Sequence, residues 1–272
     1  MTPSRFLLAF ILGAFSTSTA LGHEFWIDPA EFSIDPGEEL VADIRVGENF
    51  EGAGYSYLPR NFRLFEIAQG DARTAVEGRM GDRPALAQVV SQEGLAVVLH
   101  VTTDSSLTYK EFVKFEDFVR HKDELWTLQA HTARGLPDAG FGEAYSRYAK
   151  SLVAVGNGAG SDRAYGLEVE LVALTNPYTD DLTGGFTVQS LYQGQPRTNS
   201  QVEVFARAPG GAVMVSTVRT DAKGIAQVPV LPGHVYMLDA VVLREPRPEL
   251  AETSVVWESL WANLTFAVPP VN

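Results

Sequence analysis

The chain has 272 residues, 45% of them hydrophobic, with 24 glycines, 15 prolines and no cysteine, which is apolar material for one large or two modest cores. Its 34 acidic and 21 basic side chains leave a formal charge of −13, which excludes a general nucleic-acid binder because release of phosphate counterions needs clustered Lys and Arg. Without cysteine there is no disulfide, thiolate metal site, thiol nucleophile or lipoprotein anchor, so a metal would be held by His, carboxylates or a backbone amine.

Residues 3–22 carry Arg5, an apolar run from Phe6 to Phe15 and then small residues up to Gly22, the layout of a secretory signal peptide. The run is about half the roughly twenty residues a membrane-spanning helix needs. The mature chain is therefore expected to be periplasmic or secreted, with no transmembrane helix. Cleavage after Ala20 starts it at Leu21, and cleavage after Gly22 starts it at His23. Either cut removes Arg5 and takes the formal charge from −13 to −14. With His23 first, its amine and ring Nδ1 chelate one ion, and a second imidazole completes a brace suited to copper. With Leu21 first, the amine, two deprotonated amides and the His23 ring form a square-planar set for Cu(II) or Ni(II). The ordinary alternative is a solvated histidine beside the packing Trp26.

Strand alternation begins in ELVADIRV, where Leu40, Ala42, Ile44 and Val46 share one face. The glycine-rich stretch from Gly47 to Arg83 predicts short strands and loops. GLAVVLHVT (94–102) predicts a buried strand, with His100 on the face of Ala96 and Val98 as a hydrogen-bonded core or interface histidine. From Leu107 to His131 there is no Gly or Pro, and Phe112, Phe115, Phe118 and Val119 recur at three-to-four spacing, which predicts a helix ended by Gly135 and Pro137. EAYSRYAK (143–150) places Glu143 and Arg147 in i,i+4 register and reads as a short helical or turn segment with a solvated salt-bridged face.

Strands return with SLVAV and GLEVELVAL. The GNGAGSD loop between them opens into a strand rather than a helix, so it lacks the helix N-terminus a phosphate loop needs and reads as a hairpin. NPYTDDLTGG (176–185) is dense in turn formers and marks the domain boundary. Beyond it FTVQSLYQ, QVEVFAR, AVMVSTVRT, IAQVPV, HVYMLDAVVL and NLTFAV are regular short strands of a small sandwich. The expected fold is mainly β: a signal peptide (1–22), an N-terminal β-sandwich-like domain with a helical insertion (23–176), and a C-terminal small β-sandwich (177–272).

HEFW after a signal peptide, HTARGLPDAGFGEAYSRYAKSLVAVG, GLEVELVALTNPY, the RTDAKG turn and WESLWANLTF together resemble the exported bacterial family called domain of unknown function 4198, some members of which are labelled nickel uptake substrate-specific region. The C-terminal part also resembles carboxypeptidase-regulatory or transthyretin-like sandwiches, which implies a scaffold. The family resemblance implies a periplasmic protein associated with nickel or cobalt, and it points to His23 and His131. Lacking a transmembrane helix, such a protein would bind metal and present it to a partner such as an inner-membrane metal transporter.

His121 and His131 cannot share an ion on one continuous helix, where ten residues rise about 15 Å. His131, at the helix end, is preferred as the distant ligand. His121 with Glu124 is an i,i+3 pair whose ordinary meaning is a solvated helix face. His234, after Pro232-Gly233, would join only if the domains pack face to face. The expected function is binding of a divalent transition ion (Ni, Co or Cu) as an accessory to uptake or homeostasis, and not enzymatic. A structural or adhesive envelope sandwich without metal and a histidine-brace copper oxidase are the alternatives, the latter needing an open coordination position beside an aromatic surface. A hydrolase lacks support, since no G-x-S-x-G elbow occurs.

Overall fold

The computed structural model describes residues 23–250 and 254–271; the expected signal peptide lies outside them. In chain order the strands are β1 (Glu24–Pro29), β2 (Ser33–Ile34), β3 (Glu39–Glu48), β4 (Glu51–Tyr55), β5 (Phe62–Gln69), β6 (Ala72–Ala75), β7 (Leu86–Val89), β8 (Gly94–Thr102) and β9 (Ser105–Tyr109). Helices α1 (Phe112–His121) and α2 (Trp126–Ala133) follow, and then β10 (Phe141–Val155) and β11 (Val169–Ala173). The remainder is β12 (Phe186–Tyr192), β13 (Gln195–Pro196), β14 (Gln201–Arg207), β15 (Val213–Arg219), β16 (Ile225–Val228), β17 (Val235–Arg244) and β18 (Val255–Ala267).

These strands form a layered, mainly β structure of the sandwich type. The central sheet runs β15-β14-β17-β18-β10-β8-β5-β6, with β2 and β9 also pairing β10. One face is covered by the sheet of β11, β12, β13 and β16, where Val169, Leu171, Phe186 and Val188 meet Leu152, Leu238, Leu264 and Phe266. The other face is shared. Its β5-β8-β10 part packs on the sheet of β1, β3, β4 and β7 through Phe25, Ile27, Leu40 and Ile44. Its β17-β18 part packs on the helices through Phe115, Phe118 and Val119. Alternation along each strand supplies both faces, so the central sheet is apolar on both sides.

The boundary expected at residue 176 is spanned by this sheet: β10, from before it, pairs in parallel with β18, from near the C-terminus, from Gly142↔Val255 to Ser151↔Thr265. The glycine-rich stretch serves close approach. A Cβ on Gly52 would lie 2.8 Å from the Trp26 ring and closer still to the backbone of Val46.

Two local expectations are corrected. EAYSRYAK is not helical; it lies within β10, paired along its length with β18 on one edge and, at Glu143–Tyr145, with β9 on the other, while β8 pairs β10 just beyond it. Ladder bonds on both edges and burial of both faces override its weak local preference. The run from Leu107 to His131 is not one helix either. Leu107 belongs to β9, and the helix breaks at Lys122–Leu125, where Asp123 takes a left-handed φ of 60°. Lys122 turns inward at this break, and the C-terminal stop at Gly135 (φ 64°) is as expected.

Candidate functional site

The break after α1 brings Lys122 against three carboxylates from three strands. Its Nζ donates to Glu203 of β14, lies 3.1 Å from Asp239 Oδ2 of β17 and 3.5 Å from Glu24 Oε1 of β1. It also sits 4.7 Å from the centre of the Trp261 ring. Burial raises the Glu24 carboxyl to about 7, opposed by Lys122 and reinforced by Asp239 and Glu203. Burial alone would lower Lys122, but the surrounding carboxylates outweigh it and hold its pKa above the ordinary value. This is a charge-compensated centre closed to solvent.

Across Trp261 a cleft of about 400 Å³ opens, with His23 at its mouth. Strand β9 contributes Leu107 and Tyr109, β10 contributes Glu143, Tyr145 and Arg147, α1 contributes Lys114 and Phe118, and β18 contributes Trp261. Because alternate residues of a strand share a face, 143, 145 and 147 all point the same way. At the floor, Glu143 accepts from Tyr109 Oη at 2.7 Å through one oxygen and from Ser259 Oγ through the other. Trp261 Nε1 in turn donates to Ser259 Oγ at 3.0 Å. Burial pushes the Glu143 carboxyl up to about 7, against the pull of the Ser259 and Tyr109 bonds and of Arg147. A carboxyl so placed changes charge near neutral pH inside an aromatic cleft.

His23 is half-exposed at this mouth. Its Nδ1 lies 3.5 Å from Glu48 Oε1, and its carbonyl accepts from Arg147 Nη2 at 3.2 Å. The other histidines do not join it in a cluster: among the described residues no group of three or more His, Asp or Glu side chains is placed to hold a metal. His131 is buried. Its Nδ1 accepts from Trp257 Nε1 at 3.0 Å and its Nε2 faces the Pro137 carbonyl at 3.0 Å. A carbonyl only accepts and an indole N–H only donates, so both ring nitrogens are engaged and no lone pair is left for an ion. His121 Nε2 lies 2.8 Å from Glu203 Oε1 rather than pairing with Glu124, and that bond raises its pKa against the effect of burial. His234 is at the edge of β17, its Nδ1 3.1 Å from the Pro232 carbonyl. His100 is a core histidine as expected, yet its buried Nδ1 has no hydrogen-bond partner.

Sequence reasoning missed Glu143, Arg147, Tyr109 and Lys122. The available signal was the spacing of Glu143 and Arg147, which are same-face neighbours in a strand as well as in a helix.

The family model described as Domain of unknown function (DUF4198) matches residues 20–244. The chain belongs to this family. The matched DUF4198 region includes His23, Tyr109, Glu143 and Arg147, while Trp261, which closes the cleft, lies beyond it. No curated protein matches the chain. Among solved structures, the D0-D1 domain of Intimin aligns with 90% of this chain and 97% of its own length, at 15% identity and a TM-score of 0.22. Among the described residues no helix is long and apolar enough to cross a membrane.

Proposed function

We propose that this member of DUF4198 is an exported envelope protein that binds a divalent transition ion, nickel, cobalt or copper, at the mouth of the cleft, with His23 as anchor, and presents it to an inner-membrane transporter. The observation that carries the reading is the pairing of an exposed imidazole with a carboxylate, His23 Nδ1 to Glu48 Oε1 at 3.5 Å. With metal–donor bonds of about 2.0–2.2 Å, two donors at such a separation can reach one ion. Cleavage after Gly22 would free the His23 amine as a third donor. The ring of His131, the distant ligand expected from the sequence, is engaged elsewhere, so remaining positions would be filled by water.

The test uses chain beginning at His23, with Ni(II), Co(II) and Cu(II) added in metal-stripped buffer. Binding at a hundredfold excess over Kd should stabilise the fold by about 2.7 kcal/mol. His23→Ala should abolish the effect, Glu48→Gln should weaken it, and chain beginning at Leu21 separates the two amine arrangements. No response of the wild-type chain to any of the three ions would refute the reading.

The engagement of His131 with Trp257 and of His121 with Glu203 favours a second reading, an envelope β scaffold that uses its histidines structurally. Equal melting temperatures with and without the ions would select it. A copper oxidase is not proposed, because its brace needs a second imidazole at the ion.

A further inference from the structure

A second cavity of about 370 Å³ shares Tyr145 and Arg147 with the cleft. Phe25, Phe62, His100, Thr102, Tyr145 and Arg147 are among its lining residues. Two polar atoms of this lining are buried without a hydrogen-bond partner, Arg147 Nε and His100 Nδ1. Such orphans are rare in folded proteins because each forfeits the free energy of a hydrogen bond to water.

The Arg147 orphan is the more informative one. Its guanidinium donates to the His23 carbonyl at 3.2 Å and lies 4.6 Å from the centre of the Tyr145 ring and 5.7 Å from that of Phe25. Among the described residues no carboxylate pairs with it, whereas buried Lys122 has three carboxylates and buried Lys150 has Asp162 at 2.8 Å and Glu170 at 3.1 Å. The buried cations Lys122 and Lys150 are thus ion-paired directly, whereas half-buried Arg147 acts on Glu143 only at longer range and makes no direct ion pair among the described residues. A guanidinium is a planar fork that fits a carboxylate through two parallel bonds, and desolvation strengthens that pairing. His100 sits among the rings of Phe25, Phe62 and Phe65 at 4.9 to 5.4 Å. Burial pushes its pKa down to about 3, so the ring stays neutral and polar.

We propose that this cavity binds a small aromatic carboxylate, its carboxylate on Arg147, its ring between Phe25, Phe62 and Tyr145, and a polar substituent meeting His100. The size, and a lining that mixes the aromatic rings of Phe25, Phe62 and Tyr145 with polar groups such as Thr102 and Asn61, suit a small molecule that carries both a ring and a charge. The inference is independent of the ion reading at His23, because neither orphaned atom belongs to the proposed ion ligands.

The experiment titrates the mature chain, in metal-stripped buffer, with 4-hydroxybenzoate and with 4-hydroxybenzamide as the uncharged isostere. Calorimetry and the ring ¹⁵N signals of His100 are followed together. The expected result is saturable binding of the acid at or below about 1 mM, movement of the His100 signals, and at least about tenfold weaker binding of the amide and by Arg147→Gln. His100→Phe should block the cavity while leaving any response to metal ions intact, which separates this inference from the ion reading. The shift of the His100 signals in the wild-type chain locates the ligand even if Arg147→Gln fails to fold. The proposal is overturned if the acid does not bind at millimolar concentration, if the amide binds equally well, or if the His100 signals stay still on saturation.

Discussion

Trp257 donates its indole N–H to His131 Nδ1 at 3.0 Å, and His131 passes its own Nε2–H to the Pro137 carbonyl at the same distance. The imidazole is thus a connector from β18 through α2 to the loop before β10. It packs 4.6 Å from the ring of Phe141 and 5.1 Å from that of Phe112. A fixed donor on one side and a fixed acceptor on the other hold one tautomer, so the residue that the family resemblance offers as a ligand is consumed by the core.

His131→Ala should therefore act on stability. Loss of a buried ring and of two satisfied hydrogen bonds is expected to cost about 2–4 kcal/mol, read from the urea midpoint. The response of the chain to Ni(II), Co(II) or Cu(II) should not change. A variant that keeps full stability but loses the ion response would show that His131 is a ligand after all.

Lys122→Met should be more damaging than its apolar shape suggests. It leaves Glu24, Glu203 and Asp239 buried without their shared cation, and breaking a buried pair this way costs about 3–5 kcal/mol. Glu203 keeps His121 as a partner, whereas Glu24 and Asp239 can relieve the strain only by protonation. The deficit relative to wild type should thus widen as pH rises from 5 to 8, and denaturant titrations at the two ends measure it.

Glu143 is expected to bend the pH profile of wild-type stability. Its folded pKa of about 7 lies above the ordinary carboxylate value of 4.5, so between these values the folded state holds more protons than the unfolded one. That stability is fully present below about 4.5 and is lost as pH rises through 7. Over this window the loss is on the order of 3 kcal/mol. Glu143→Gln keeps the shape without the titration and should flatten the decline between pH 5 and pH 7.5 in melting-temperature scans. A decline also remains from Glu24, which shifts the same way.

His100 slopes in the opposite direction. With its pKa depressed to about 3 by burial, the unfolded state takes up protons first below about 6.5, and stability falls as pH drops. His100→Phe removes both this titration and the orphaned Nδ1. It should raise the melting temperature more at pH 5 than at pH 7.5, and equal changes at both pH values would contradict the assignment.

Much of the strand inventory is legible in the sequence. Leu40, Ala42 and Ile44 alternate as read and are buried in β3, GLAVVLHVT coincides with β8, and Gly135 stops the second helix in a left-handed conformation. These features are local, since a two-residue period or a cap depends only on neighbours in the chain. The site is another matter. The sequence points to His23, but the cleft it overlooks is assembled from Tyr109, Glu143, Arg147 and Trp261, which come from three separate strands.

Composition and periodicity determined that this chain is mainly β, apolar enough for a large core and free of thiol chemistry. Only the tertiary structure decided that EAYSRYAK is a strand, that Lys122 ends the first helix by turning toward three carboxylates, and that His131 is spent on Trp257. The physical reason is range. A face pattern is written in adjacent residues, whereas the parallel pairing of β10 with β18 joins segments more than a hundred residues apart, and burial on both sides of that pair sets the conformation, charge and partners of every side chain between the layers.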